Sequence, residues 1–477
     1  MSDVGIVGIA NVLISLSGIF VIPLITKALG AHDYGIYVQF TVTISLILSF
    51  ATLGLPYSMV RFLAGSKDRR QIQDDLYSSI ALILVFSLLV SLILIIFSQT
   101  LAKALFENAT ILIKILAIII PVDCIGTTLL NTFRVFHEIK KYTLYSTLKT
   151  YVEIGAIALV ILMGYGITEM AVAILVVRFI FLLIMSSIIA FTIGVALPSF
   201  KRSWEYVKFG LPTVPSNVAS WITNSSSRYV IGMLLGLTYV GYYNPGYNLG
   251  AMIAMFTTPI NFVLVSLAPS CYEEEKIDLL RQIFKFSIKY YLMLAVPGFF
   301  GLSILSKPIL AIISTPAIAE NGYLVTPLSA FSFLILGLGG VSLGFACYLC
   351  KKTYIDMINW ILVAMINLGA SIILVPRMGI IGAALATLMA VLFGFVFGCY
   401  FAFKYFDFDI DIKSIIKIVV ASLIMSAVLV NIHPVTLKEI LLTVALGVII
   451  YAVSIIPLRL IGEGEINLIK SYIKMER

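Results

Sequence analysis

An arginine and two asparagines stand in an apolar run where hydrocarbon would be expected. In PTVPSNVASWITNSSSRYVIG, residues 212–232, Asn217, Trp221, Asn224 and Arg228 recur at i, i+4, i+7 and i+11. A helix carries all four on one face, flanked by Ser220 and Ser227. A guanidinium suits a bidentate grip on phosphate, and side-chain amides suit hydroxyl groups. Lipid would reject this face, since an arginine at mid-bilayer costs about 2.5–3.5 kcal/mol on insertion scales. It must therefore meet protein or water. Asn11, Ser15 and Gly18 share one face of the first apolar segment in the same way. Two readings stand side by side. The stripes are the walls of a hydrophilic cavity, with Arg228, Asn224, Asn217, Asn11 and Ser15 as ligands, or they are interhelical hydrogen bonds of about 0.6–2 kcal/mol each.

Three further charges, Asp123, Glu153 and Arg178, fall mid-way along apolar segments. Carboxylates and a guanidinium at similar depth imply pairing. The group is either a proton- or sodium-coupling site, with Pro121 bending the helix beside Asp123, or a fixed ion pair. Lys149 and Lys289 sit nearer segment ends and are expected to snorkel. Arg61, in LGLPYSMVRFLAG, ends a segment at headgroup depth and is either a phosphate ligand or a positive-inside anchor. Glu273–Glu275 reads as a solvated loop face. Cys347 and Cys350 make a lone CxxC and the three histidines are scattered, so no metal site is expected.

The elements that carry these residues are membrane spans. The chain is 61% hydrophobic and 12% charged, against about 45–50% and about 25% for soluble domains. Apolar runs of helical length, without strict alternation, exclude a β-barrel. The expected spans cover about 4–28, 36–62, 76–98, 111–133, 142–163, 169–195, 208–234, 239–267, 285–306, 323–349, 354–375, 380–403, 413–431 and 437–459. The N-terminal run lacks a basic n-region and reads as the first span, not a signal peptide. Basic residues on alternate sides divide about 22 to about 6. This places both termini in the cytoplasm and assigns the net charge of +8 to membrane topology, not nucleic-acid binding.

The chain also repeats itself. LGAHDYGIY at 29–37 aligns with LGLTYVGYY at 235–243, Asn11 with Asn217, Lys140-Lys141 with Lys351-Lys352, and Gly166-Ile167 with Gly379-Ile380. The expected architecture is all-α and polytopic, with about 14 transmembrane helices in two six-helix pseudo-symmetric lobes plus two C-terminal helices. The N-lobe is expected at 1–200, the C-lobe at 201–405, the last two helices at 406–460 and a cytoplasmic tail at 461–477.

PLITKALGAHDYGIY, LGLPYSMVRF, KFGLPTVPSN and PRMGIIGAALATLMA resemble, in order, the Wzx-type polysaccharide (O-antigen) flippases of the multidrug/oligosaccharidyl-lipid/polysaccharide exporter superfamily. The resemblance covers nearly the whole chain. It implies two lobes about a cationic cavity and a flippase that carries a polyprenyl-pyrophosphate-linked glycan to the outer leaflet of the cell membrane. Arg228, Arg61 and Arg178 would meet the pyrophosphate, Asn11, Asn217 and Asn224 the sugar, and the final helix pair the polyprenyl chain. Membrane lipids and polysaccharide assembly enzymes are the implied partners. No cofactor is expected. With no P-loop, the energy source would be a proton or sodium gradient, the membrane potential, or later consumption of the product. A multidrug exporter of the same superfamily is the alternative, and its usual twelve helices leave the last pair unexplained. A membrane glycosyltransferase or polymerase would need clustered carboxylates near an external face or a large external loop, and neither is present.

Overall fold

A computed structural model of the chain describes residues 2–63, 68–340, 349, 353–406 and 409–458. The CxxC and the tail 461–477 lie outside the described residues, as do the side chains of Asn11 and Ser15. Among the described residues the regular structure is helical, without strands.

The first helix, α1 (Ser2–Ala51), contains two expected spans joined at Gly30, whose φ of 84° breaks the helix without ending the hydrogen-bond pattern for long. It is followed by α2 (Leu55–Leu63), which is separated from α1 at Leu53 and Gly54, both of positive φ. The expected second span is therefore split. The third helix, α3 (Arg69–Ile96), starts before the apolar run because Asp68 caps it, accepting from the Arg70 N–H at 3.0 Å. Hydropathy alone misses such a polar first turn. Then come α4 (Ser98–Leu105), α5 (Thr110–Val135), α6 (Ile139–Leu162) and α7 (Ile167–Ile193), with α8 (Ser203–Gly210) in the link and α9 (Thr213–Leu234) beyond it. The polar stretch is helical from Thr213 onward, within α9.

Next are α10 (Leu237–Ala251) and α11 (Thr257–Glu273), divided by a 3₁₀ turn where one span was expected. α12 (Ile277–Ile304), α13 (Ser306–Ile313), α14 (Pro316–Gly322) and α15 (Val325–Gly339) follow, the last two bent by 56°. α16 (Thr353–Tyr405) again joins two expected spans, at Gly379 with φ 61°. α17 (Ile412–Leu429) and α18 (Leu437–Ile455) are the expected final pair. Nine of the described helices are long and apolar enough to cross a membrane, and α1 and α16 are each long enough for two spans. With the broken helices, the helix order accommodates the fourteen expected.

Backbone contacts divide the chain into two compact units. One comprises 1–248, 313–322 and 357–390, and the other 249–312, 323–356 and 391–477. In the first, α5 is the central element, packing on α3, α6 and α7. In the second, Leu280, Phe284, Tyr291 and Ala295 of α12 anchor a core with α11, α15 and α17.

Within the first unit the two aligned segments 29–37 and 235–243 meet backbone to backbone. A Cβ on Gly35 would lie 1.9 Å from the Leu237 carbonyl oxygen, and one on Gly241 would lie 1.9 Å from that of Ala31. The preceding aligned glycines, Gly30 and Gly236, both take positive φ (84° and 102°). The repeat thus reproduces both a turn and a close approach that side chains would prevent. Gly35→Ala and Gly241→Ala are each expected to cost about 1–3 kcal/mol through overpacking. This would read as a lower thermal midpoint in detergent, whereas Gly155→Ala, open on all sides in α6, should leave the midpoint unchanged or raised.

Candidate functional site

Three polar clusters occupy the first unit, two of them built on residues singled out from the sequence. In the first, α9 presents Arg228 to α10. The side chain is only 6% exposed. Its Nε donates to Asn244 Oδ1 at 2.8 Å and its Nη1 to the Asn224 carbonyl at 2.6 Å. The guanidinium carbon sits 4.3 Å from the Tyr247 ring centroid, a cation–π stack that is favoured where water is excluded. The Tyr247 hydroxyl also donates to the Asn224 carbonyl, at 3.1 Å. Asn244 passes the contact on, its Nδ2 donating to the Tyr34 hydroxyl at 2.8 Å. No carboxylate lies within ion-pair distance of Arg228 among the described residues. Among the described residues the cation is held by neutral dipoles and a π face.

The rest of the α9 stripe is distributed around it. Asn224 turns its amide back to the Ser220 carbonyl at 2.8 Å, so its backbone, not its side chain, serves Arg228. Trp221 Nε1 donates to Ser45 Oγ at 2.9 Å, and the Tyr229 hydroxyl meets Thr43 Oγ1 at 2.7 Å. Both contacts tie α9 to α1. Asn217 is half-buried. On the opposite side of the helix, Ser226 donates to Asn367 Oδ1 at 3.1 Å, and Asn367 Nδ2 to Thr387 Oγ1 at 3.0 Å. The bonds of Trp221 and Tyr229 are interhelical contacts, the second of the two readings weighed from the sequence, while Arg228 is buried against α10.

The second cluster gathers the charges of α5, α6 and α7. Arg178 forms a fork on Glu153, with Nε to Oε2 at 3.1 Å and Nη2 to Oε1 at 2.9 Å. Its Nη1 donates to Asp123 Oδ2. Lys149 Nζ donates to Asp123 Oδ1 at 3.0 Å. The expected snorkelling of Lys149 is wrong, because a buried carboxylate within reach outbids the interface for its ammonium group. Lys289 is also buried, at 3% exposure. Two acids and two bases make the quartet neutral, which is what lets it stay buried. Beside it a cavity of about 30 Å³, lined by Thr127, Tyr145 and Lys149, has room for a water molecule. Arg61 is exposed at the end of α2.

A third cluster was not anticipated. Asp75 of α3 is 5% exposed and accepts from Arg202 Nη1 at 3.0 Å and the Tyr206 hydroxyl at 2.9 Å. Burial, and then this bond to a carboxylate, push the Tyr206 phenol upward. Arg69 Nε and Gln73 Nε2 donate to the Ile193 carbonyl at 2.9 and 2.6 Å, and Tyr77 to that of Gly194 at 2.8 Å. The polar start of α3 therefore straps down the link between α7 and α9. Tyr34, Asn244 and Tyr247 were also not singled out from sequence, although Tyr34 lies inside the repeated segment and Asn244 follows its copy by one residue.

The family described as polysaccharide biosynthesis protein matches residues 1–265. Among curated proteins, the chain is 24% identical over 240 residues to a probable low-salt glycan biosynthesis flippase, Agl15, of Haloferax volcanii, covering 49% of each. It is 23% identical over 186 residues to a probable flippase, AglR, of the same organism, covering 37% of this chain and 36% of that one. The matches thus span about half or less of those relatives. Among solved structures, the lipid II flippase MurJ in an inward closed conformation superposes with a TM-score of 0.78 at 18% identity, covering 94% of this chain and 97% of that one. An inward-facing multidrug resistance MATE transporter of the MOP superfamily gives 0.69 at 15% identity, covering 82% and 95%. At these identities the structural likeness shows the fold.

Asp123→Asn strands Lys149 and weakens the hold on Arg178. It is expected to cost about 3–5 kcal/mol, as the loss of one partner from a buried charge group does. Adding Lys149→Met should recover part of that loss. Thermal unfolding of the two variants in detergent checks the order.

Proposed function

The chain belongs to the polysaccharide biosynthesis protein family, and on that premise we propose that it is a flippase for a polyprenyl-(pyro)phosphate-linked oligosaccharide. The direction would be from the cytoplasmic to the outer leaflet, by alternating access of the two lobes expected at 1–200 and 201–405. The observation that carries this reading is Arg228, a buried guanidinium whose partners among the described residues are all neutral. A cation held only by dipoles keeps its charge available to an incoming anion, whereas one paired with a carboxylate has spent it. A diphosphate offers two oxygens in the plane that the guanidinium fork requires. Asn217 and the amide of Asn224 would then meet sugar hydroxyls, with Asn11 and Ser15 of the first helix as further candidates, and Arg61 would receive the headgroup at the membrane surface.

The tail has a matching feature in the second unit. A cavity of about 450 Å³ is lined by Met252, Phe256, Leu302, Met425, Leu429 and Tyr451, with other apolar residues. A groove of this size and lining suits an isoprenoid chain, which gives the final helix pair α17 and α18 a purpose. The named flippase relatives and the MurJ-like fold support the same class. Enzymes that build or consume the lipid-linked glycan would be its partners in the membrane.

An ion-coupled multidrug exporter is the second reading, favoured by the MATE likeness. That likeness covers less of this chain than the MurJ likeness does. Under either reading, Asp123 and Glu153 are candidates for ion coupling. Their full engagement with Arg178 and Lys149 favours a structural role instead.

In vesicles holding a fluorescent disaccharide on a polyprenyl pyrophosphate, the protein should speed leaflet exchange. Arg228→Ala should slow it at least about tenfold, and Arg228→Lys less, since an ammonium keeps charge but loses the fork. Equal rates for Arg228→Ala and the parent would sink the assignment of the phosphate to Arg228. Exchange of a cationic dye but not of the glycolipid would favour the exporter. A separate expectation concerns coupling. Glu153→Gln should leave the response to an imposed proton or sodium gradient unchanged if the quartet is structural, and abolish it if the quartet couples transport.

A further inference from the structure

The contacts of Arg228 continue to a place where the two aligned segments touch. The sequence of bonds runs from the Asn224 carbonyl through the guanidinium to Asn244 Oδ1, and from Asn244 Nδ2 to the Tyr34 hydroxyl. Tyr34 lies one residue before Gly35, and Asn244 lies three after Gly241. These are the two glycines at which segments 29–37 and 235–243 press backbone against backbone. Tyr34 is 2% exposed and Asn244 5% exposed, so neither finds a substitute partner in water while the contact is closed. By the distribution of basic residues this contact is on the external side.

Resting on the flippase reading above, we propose that Asn244 and Tyr34 are a latch that senses an anion at Arg228. They hold the external segments together while the guanidinium is unoccupied and release them when a diphosphate draws it off. The physical steps are short. The guanidinium has one Nε–H and two N–H groups on each terminal nitrogen, and a bidentate grip on diphosphate aims one edge of that fork at the ligand. A grip through the edge formed by Nε and Nη2 takes Nε from Asn244. The Asn244 carbonyl is then a buried acceptor without a donor, which is among the least tolerated states in a protein interior. Its amide must turn, and the Tyr34 hydroxyl loses its donor in turn. Parting the two segments lets water satisfy both groups. The glycine contacts make this response two-state, because backbones at contact distance either stay seated or separate. Asn244 and Tyr34 are positioning residues here, acting through Arg228 and not on the ligand.

The experiment uses the full chain with its cysteines replaced and one new thiol at Val240, a fully buried residue beside Gly241. Labelling by a membrane-impermeant maleimide from outside reports parting of the segments. Geranylgeranyl pyrophosphate is the probe, and geranylgeraniol the uncharged control. In the parent, the pyrophosphate should raise the labelling rate and the alcohol should not. Tyr34→Phe removes one hydroxyl and should raise labelling without ligand by about two- to tenfold, the span that one lost hydrogen bond gives. Asn244→Ala should do the same and lose most of its response to the pyrophosphate. Asn244→Asp should act in the opposite sense, since a fixed carboxylate would out-compete the ligand for Arg228 and keep the thiol shielded. A merely structural Asn244 would give the same sign for both variants. If the parent exchanges glycolipid and responds to the pyrophosphate, but Asn244→Ala and Tyr34→Phe label like the parent, the latch is wrong and the flippase reading stands. If the two variants open the segments but neither transport nor a pyrophosphate response exists in the parent, the hydrogen bonds hold the segments but sense no anion, and the proposal is overturned with the reading it rests on.

Discussion

Hydrocarbon neither solvates a charge nor supplies a hydrogen bond, so every polar group inside a spanning bundle has to be satisfied by other parts of the protein. Two solutions to that constraint coexist within one compact unit. Asp123, Glu153, Lys149 and Arg178 cancel one another and share their hydrogen bonds. Arg228 is clasped by an amide oxygen, a backbone carbonyl and an aromatic face. The first solution makes a rigid, closed group whose charges are spent. The second leaves a net positive charge in place, and a site for a phosphate needs that charge.

The same constraint explains the glycines. Two helical turns that must close tightly in a membrane cannot rely on the hydrophobic effect, because lipid tails are as apolar as any side chain. Close approach of backbones, with van der Waals contact along its length, is what remains. Gly35 and Gly241 permit that approach, and Gly30 and Gly236 turn the chain into it. Polar contacts from Thr43, Ser45 and Tyr34 to α9 and α10 add direction to a contact that packing alone would leave nonspecific.

Polar and apolar work are segregated. The first unit holds the clustered charges, and the second is built on Phe284, Tyr291 and Leu292 with a greasy cavity against α17 and α18. Tyr451 at the cavity wall is anchored by its hydroxyl to the Met293 carbonyl at 2.8 Å, leaving its ring as apolar lining.

Membrane class, the succession of spans and the duplicated segments were readable from residue order, because burial in lipid is set by the apolarity of each local run. The face bearing Arg228 was readable for the same reason, since helical spacing is a local property. So was the pairing of Asp123, Glu153 and Arg178, because buried charges of opposite sign at similar depth gain by meeting. Which partners each charge obtained was not readable. Tyr34 and Asn244 stand 210 residues apart, and Lys149, near a segment end in the sequence, has a buried carboxylate within its reach. Nor did hydropathy foresee that α1 and α16 run through their turns at Gly30 and Gly379, or that the spans near Gly54 and Met252 break. Those outcomes depend on which helices come to lie side by side. Only the tertiary structure decides that, because it alone brings distant parts of the chain within hydrogen-bonding distance.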